Sequence, residues 1–282
     1  KEELLFLFDY VVPINSNVLN NLLIESLSFN STPPNDFRED EFNYFRIVNL
    51  LKLEQRKKAF EMIHSISDNP DYLEFYNLVK LNYYFSTYSL SEACDFRNEF
   101  DQDKSTINQN YLLKIDIFCS FIQNKTDEAD FLKSLLEDAD DNDIYFQKLF
   151  SFLKNQDKNE IDMKLYNYNE QNMPLYAAMI RVGEMSLNNQ FLDHDPVNYS
   201  MPIVLSSSTD ISLRLKAAHH AYSQGFFNAE SLSALYQTVD FSYDELTNNE
   251  LEKYHKNFEI GMAYLFQKAN IQLLTMTRVQ SL

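Results

Sequence analysis

The chain has 282 residues, and 45% of them are hydrophobic, including 23 Phe and 18 Tyr. This composition excludes a disordered chain, because burying so many apolar side chains outweighs the entropy lost on ordering. The 3 Gly and 7 Pro are too few for the tight turns of a β-sandwich or β-barrel. The formal net charge of −18 repels nucleic-acid phosphates and anionic lipids, so we predict no nucleic-acid binding.

Apolar runs in the sequence are short. None approaches the roughly 18 to 20 residues that span a bilayer, and we therefore predict no direct insertion into a membrane. The numbered sequence begins at Lys1 rather than Met. We interpret this as the loss of an upstream segment, in which a signal peptide would not be visible.

A repeated alanine marks an internal period in the first half of the chain. Ala59, Ala93 and Ala129 are separated by 34 and then 36 residues, and each lies near the start of a short predicted helix. A longer aromatic helix precedes each alanine, with apolar residues spaced three and four apart. These longer helices are predicted at residues 42–51, 73–85 and 111–122. A small side chain at the repeated position would let the second helix approach the first closely.

Over about residues 40–155 this pattern resembles tetratricopeptide-like helical repeats. The resemblance implies an all-α fold in which antiparallel helix hairpins stack as an α-solenoid. Four regions are then predicted. Residues 1–39 form an N-terminal helical cap and loop, 40–155 hold the repeats, 156–174 are a polar link, and 175–282 form a C-terminal helical region that continues the array.

Local signals predict further helices in the C-terminal region. We predict one helix at residues 175–187 and another at 211–224. Between them, residues 194–208 contain Pro196 and Pro202 and are predicted to form a loop, because proline usually interrupts a helix.

The remaining signals concern helix ends. Gly225 is placed where a helix C-terminus needs a left-handed residue. Ser242 and Glu245 have the spacing of a capping box, in which the two side chains bond each other's free backbone N–H groups. A long final helix is predicted at residues 248–279, with a break near Gly261.

A short motif near the end of the chain bears on location. Residues 232–246 contain Ala234-Leu235-Tyr236, then Phe241, and then Asp244-Glu245-Leu246. This stretch resembles an uncharacterised bacterial family of exported helical proteins. The resemblance implies a periplasmic or otherwise exported protein after signal cleavage and implies no activity; a cytoplasmic location is the alternative.

Cys94 and Cys119 are the two cysteines of the chain. They are equally distant in sequence from residues 106 and 107, inside a predicted loop, so antiparallel neighbouring helices would place them at similar height. A disulfide is therefore geometrically feasible and would lock two repeats together in an oxidising compartment. The alternative is a pair of buried free thiols.

No metal, cofactor or catalytic site is predicted. The neighbouring His219 and His220 point about 100° apart on a helix, so they cannot bind one ion from the same face. The acidic run at residues 138–143 has Asp143 and Leu149 where a calcium loop needs Gly and Glu, and we interpret it as an acidic linker. Motifs for a nucleophile or for phosphate binding are also missing. The sequence therefore favours a protein that is not an enzyme.

Aromatic side chains are the candidates for partner contact. We single out Tyr83, Tyr84, Phe226 and Phe227, although most rings of the chain are expected in the core. The predicted function is a non-catalytic scaffold or adaptor that binds a protein or peptide partner on a concave helical surface; the negative charge would favour a basic partner. Two alternatives stay open: a helical accessory region of a larger cell-wall enzyme, and a structural subunit of an envelope assembly.

Overall fold

The computed structural model describes residues 1–14, 16–29, 31–66, 69–99, 107–139, 141–155, 170–225, 227–248 and 250–272. All regular elements in these residues are helices, so the predicted all-α class is confirmed. No helix in these ranges is both long enough and apolar enough to cross a membrane. The chain divides into two compact units, residues 1–184 and residues 185–282.

The helices of the first unit (unit 1) are α1 Glu2–Asp9, α2 Asn17–Ser28, α3 Glu39–Lys52, α4 Arg56–Ser65, α5 Leu73–Ser86, α6 Leu90–Asn98, α7 Gln109–Ile122, α8 Thr126–Asp138, α9 Ile144–Asn155 and α10 Met173–Val182. Those of the second unit (unit 2) are α11 Asn189–His194, α12 Pro196–Leu205, α13 Ile211–Ser223, α14 Ala229–Gln237, α15 Tyr243–Thr247 and α16 Phe258–Ile271. Short 3-10 turns precede α10 and α16, at Glu170–Asn172 and Leu251–Tyr254.

The same turn joins the helices of three successive pairs, α3–α4, α5–α6 and α7–α8. Glu54, Tyr88 and Asn124 occupy equivalent positions and have positive φ values of 60°, 65° and 61°. In each turn the following N–H donates to the carbonyl five residues before it, at 2.8, 2.8 and 2.9 Å, which is the longer bond of a Schellman motif. The turn residues repeat with the period of the alanines.

Each repeated alanine lies five residues after one of these turns. Ala59, Ala93 and Ala129 have no exposed surface and lie on α4, α6 and α8, each of which packs against the helix before it. The alanine N–H groups donate to the first carbonyl of their helices at 3.0, 2.9 and 3.0 Å. The small side chain therefore lies where two paired helices meet.

Helix α10 connects parts of unit 1 that are distant in sequence. It packs against α5 as well as against α9, and its residues from Met173 to Ile180 are all buried. At its end, the Arg181 guanidinium lies 4.1 Å from the ring centroid of Tyr88, in the α5–α6 turn. In an ideal solenoid each repeat contacts only its neighbours, so α10 departs from a simple stack. Residues 156–169 of the predicted link lie outside the described residues.

A buried charge network ties α7 to α9 and α10. The Lys114 ammonium lies 3.0 Å from the Asp141 carboxylate and 2.7 Å from that of Asp143. Asp143 also accepts hydrogen bonds from the Tyr176 hydroxyl and the Asn172 amide and caps α9. Burial alone would raise the pKa of Asp143, but the bonds from Lys114 and Tyr176 outweigh it and hold that pKa below its ordinary value. Two of the acids in the predicted acidic linker thus serve a structural role.

The predicted loop at residues 194–208 is wrong, because α12 occupies most of it. Asp195 precedes this helix, and its carboxylate accepts a hydrogen bond from the Asn198 N–H at 3.1 Å. Pro196 stands at the first helical position, where its missing N–H costs nothing and its fixed φ suits the helix. Pro202 lies inside the helix. Both prolines were predicted to interrupt a helix, but Pro196 stands where proline favours a helix start and Pro202 is accommodated within α12.

The other helix ends in this region were predicted in part. The capping box of Ser242 and Glu245 is confirmed, and Gly225 has the expected positive φ of 78° after α13. The helix predicted at residues 175–187 corresponds to α10, which ends early, at Val182. The predicted final helix at residues 248–279 is wrong in its start, because the Asn257 side chain accepts from the Ile260 N–H and begins α16 there. Gly261 lies within α16 and does not break it; residues 273–279 lie outside the described residues.

Replacing Ala129 with Leu is expected to destabilise the fold by about 1 to 3 kcal/mol, because the larger side chain has no space between α7 and α8. The measurement is urea unfolding followed by circular dichroism. Ala139→Leu is the matched control, since Ala139 is exposed at the end of α8 and its replacement should change stability by less than about 0.5 kcal/mol. Equal stability of the two variants would contradict the close approach at Ala129.

Replacing Asp143 with Asn is expected to cost about 1 to 3 kcal/mol at neutral pH, because Lys114 loses a buried charged partner. The folded pKa of Asp143 is lowered, so its contribution is present above the ordinary value of 3.8 and is lost as pH falls through the folded pKa. The gap in unfolding free energy between the variant and the original protein should therefore narrow below about pH 4. A gap that is the same at pH 3 and pH 7 would contradict this account.

Candidate binding groove

A polar groove lies between α2, α3, α4 and α5 of unit 1. It consists of two adjoining cavities of about 530 and 420 Å³, which share Glu39, Asn43 and Ile66 in their walls. The first cavity is lined further by Ser28, Arg46, Lys58, Glu61, Met62 and Ser65, and the second by Asp40, Asn69, Pro70 and Tyr76. Volumes of this size are typical of ligand sites.

Arg46 forms the inner wall of the first cavity. Its side chain is 3% exposed and lies on the buried face of α3, one turn from Phe42 and from Leu50. The guanidinium donates to the backbone carbonyl of Leu27 at 2.6 Å and to that of Phe29. These two hydrogen bonds satisfy free carbonyl groups at the C-terminal end of α2. Nη1 also donates to Asn43 Oδ1 at 3.1 Å. Burial lowers the pKa of Arg46, and all of these acceptors are neutral.

Tyr76 forms part of the second cavity. It is 1% exposed, and its hydroxyl has no hydrogen-bond partner among the described residues. Burial raises its pKa, and the neighbouring Tyr72 and Asp40 add to the effect. Unpartnered buried hydroxyls are uncommon in folded proteins. Tyr76 thus belongs to the cavity lining and carries a hydroxyl without a partner among the described residues.

Asparagine amides and carboxylates complete the groove. The Asn69 amide donates to the Asp40 carboxylate, and its carbonyl oxygen accepts from the Asp71 N–H at 2.9 Å. The Glu39 and Glu61 carboxylates are exposed at the rim. Together these groups provide donors and acceptors along one side of an open channel.

The aromatic residues singled out in the sequence lie elsewhere. Tyr83 stacks on Phe60 with ring centroids 4.1 Å apart, and Tyr84 contacts Phe60 edge-on at 5.2 Å. Both tyrosines are half-buried, so part of each ring is accessible. In unit 2, Phe227 is half-buried, whereas Phe226 lies outside the described residues. Their role in partner contact stays a prediction.

Cys94 of α6 and Cys119 of α7 are joined by a disulfide, with Cα atoms 5.7 Å apart. Both cysteines are buried, with 2% and 7% of their surface exposed. A second link lies beside it, because Arg97 Nη2 of α6 donates to Asp116 of α7 at 2.7 Å. These links connect the α5–α6 pair to the α7–α8 pair. Of the two alternatives that the sequence left open, a disulfide or a pair of buried free thiols, the structure has the disulfide.

The two adjacent histidines of α13 have different surroundings. His219 Nε2 lies 2.6 Å from the Tyr236 hydroxyl on α14. Burial lowers the pKa of both His219 and His220. The carboxylate of Glu259 acts in the opposite direction on the pKa of His219, and that of Asp195 does so on the pKa of His220. Within the part of the chain that the structure describes, no three His, Cys, Asp or Glu side chains are grouped to hold a metal ion.

The groove residues were not identified from the sequence. A signal for Arg46 does exist, since it interrupts an apolar stripe between Phe42 and Leu50 at helical spacing. A charged residue in such a stripe must find buried partners. No comparable signal marks Tyr76, because its hydroxyl is distinguished only by the lack of a nearby acceptor in three dimensions.

Comparisons with protein-family models, with curated proteins and with solved structures give no match.

Removing the disulfide in a Cys94→Ser/Cys119→Ser variant is expected to cost roughly 3 kcal/mol of stability, because the bridge restricts the unfolded chain. The measurement is urea unfolding with and without reductant, together with mass spectrometry of peptides from protein purified without reductant. The double variant is the control, since reductant should not change its stability. Free thiols in the oxidised preparation, with stability unaffected by reductant, would contradict the bridge.

Proposed function

We propose that this protein is a non-catalytic scaffold or adaptor that binds a segment of a protein or peptide partner in the groove of unit 1. The observation that carries the proposal is Tyr76, a residue of the groove lining whose hydroxyl is buried and without a partner in the described residues. Leaving a buried hydroxyl unbonded costs about 1 to 3 kcal/mol. A polar group of a bound partner can recover that free energy.

The other polar groups suit the backbone of a polypeptide. An asparagine side chain resembles a peptide unit, with both donor and acceptor atoms. The Asn43 oxygen already accepts from Arg46, which leaves its NH₂ group available as a donor. An extended segment presents alternating N–H and C=O groups, and a channel of two adjoining cavities can hold several of its residues.

The charges at the rim favour a basic segment. Glu39 and Glu61 are exposed there, and the whole chain carries a formal charge of −18. Arg46 is buried and bonded to backbone carbonyls, so Lys58 is the main accessible cation of the groove. Opposite charge accelerates association and helps to select the partner.

The architecture proposed for the binding surface is a tetratricopeptide-like α-solenoid. The three equivalent turns at Glu54, Tyr88 and Asn124 support it, as does the buried alanine after each turn. Consecutive pairs with the same turn expose equivalent helix faces, and such faces form concave peptide-binding surfaces in repeat proteins.

An exported, periplasmic-type location is proposed on the basis of the disulfide. Structural disulfides persist in oxidising compartments and are rare where thiols are kept reduced. The buried Cys94–Cys119 bridge supports this location.

The proposal is tested by selecting peptides of about twelve residues from a random library and measuring their affinity for the protein by fluorescence anisotropy. The groove variant is Glu61→Lys. Its matched control is Glu137→Lys, because both glutamates are more than half exposed and pair with a lysine one helical turn earlier. We expect the selected peptides to contain Lys or Arg and to bind Glu61→Lys about tenfold more weakly, a loss of about 1.4 kcal/mol.

A second variant, Tyr76→Phe, separates binding from folding. Removing an unbonded buried hydroxyl should leave stability unchanged or slightly higher, whereas peptide affinity should fall if the hydroxyl donates to the ligand. Peptides that bind all three variants as they bind the original protein would reject the groove as the binding site.

A further inference from the structure

Unusually many apolar side chains are exposed near the start of the chain. Among the residues that the structure describes, 20 large apolar side chains are exposed, and nine of them lie within residues 6–29. On α1 and directly after it they include Phe6, Leu7 and Tyr10, which are 60%, 60% and 67% exposed. On α2 they include Val18, Leu19 and Leu22, at 70%, 53% and 56%. We refer to these six residues as the N-terminal face.

The inner sides of the same two helices are already buried. Phe8 of α1 and Ile24 and Leu27 of α2 belong to the core, with 8%, 5% and 5% exposed. Each helix is therefore apolar on its outer side in addition to its core side. Exposed apolar clusters typically mark contact surfaces.

The carboxylates of α1 and α2 have no basic side chain on either helix. The nearby cations are engaged elsewhere, since Lys1, just before α1, pairs with Glu41 and Lys52 donates to the Phe8 backbone carbonyl at 3.1 Å. Residues 2–37 contain no Lys and no Arg. Glu2, Glu3, Asp9 and Glu25 are exposed on α1 and α2, and none of the four makes an ion pair among the described residues. The face thus combines apolar side chains with unpaired carboxylates.

This combination limits what can cover the face. A second copy would bring the same carboxylates against one another, and an anionic lipid surface would meet the same repulsion. A segment whose apolar side chains are flanked by Lys or Arg would bury the apolar residues and pair the carboxylates at once. An amphipathic helix has this arrangement, with one apolar side and charged edges.

We propose that the N-terminal face of α1 and α2 is a docking surface for a basic amphipathic helix of a protein partner. This surface is built from residues other than those that line the groove, and the proposal does not depend on the groove binding a peptide. The two together would give the scaffold two points of contact.

The probe is a fluorescein-labelled 18-residue helix with Leu along one side and Lys at its edges, titrated into the full chain and followed by anisotropy. Two control peptides have the same length: one has the same composition in scrambled order, and the other has Glu in place of Lys. We expect binding of the Leu/Lys helix at least tenfold tighter than of either control.

The matching protein variant is Leu7→Ser/Leu22→Ser, with Phe131→Ser as control. Phe131 is 62% exposed on α8 and does not belong to the face. We expect the double variant to lose at least tenfold in affinity, the control to lose nothing, and circular dichroism to be unchanged in both, since all three side chains are exposed. A further variant, Glu3→Gln/Glu25→Gln, should bind severalfold more weakly and with a smaller dependence on salt.

Several outcomes would overturn the proposal. These are equal binding of the scrambled helix, equal binding by the double serine variant, and an affinity that Glu3→Gln/Glu25→Gln leaves unchanged. Self-association in sedimentation that Leu7→Ser/Leu22→Ser abolishes would assign the face to a second copy. Binding to phosphatidylglycerol vesicles that the same variant abolishes would assign it to lipid. Glu61→Lys should leave helix binding intact, so failure of the groove and failure of this face are distinguishable.

Discussion

The close approach of two helices after a left-handed turn is the constraint on which unit 1 depends. Glu54, Tyr88 and Asn124 each adopt positive φ, which costs a non-glycine residue about 1 to 2 kcal/mol. The packing at the buried alanine five residues later offsets that cost, because its small methyl side chain lets the paired helices lie close together. The same local solution is used three times, and the longer helices of the pairs all have 14 residues.

Buried charges join these pairs to the rest of the unit. Arg46 holds the carbonyl end of α2, and Lys114 draws Asp141 and Asp143 of the segment before α9 toward α7. Each charge is satisfied by groups from another element, since an unpaired buried charge would strongly oppose folding. Arg46 also shapes the groove, because the bonds that anchor α2 place its guanidinium in the groove wall. Arg46 therefore both anchors α2 and lines the groove.

The groove and the N-terminal face differ in chemistry. The groove is lined by amides, carboxylates and a phenolic hydroxyl, which suit an extended polar segment. The face exposes apolar rings and branched side chains beside carboxylates, which suit a helix with one apolar side. Both carry exposed carboxylates at their edges, and for this reason the partner proposed at each is basic. A scaffold with two such sites would gain affinity from simultaneous engagement of one partner.

The sequence by itself determined the helical class, the period of the repeated alanines, and several helix ends such as the Ser242 capping box, because these depend on spacing and local hydrogen bonding. It left the cysteine pairing open and placed a loop where Pro196 begins a helix. Only the tertiary structure decided that α10 packs on α5, that Arg46 bonds α2, and that Tyr76 lines a groove while its hydroxyl lacks a partner among the described residues. These features depend on which surfaces meet across long separations in sequence, and a local pattern does not specify that meeting.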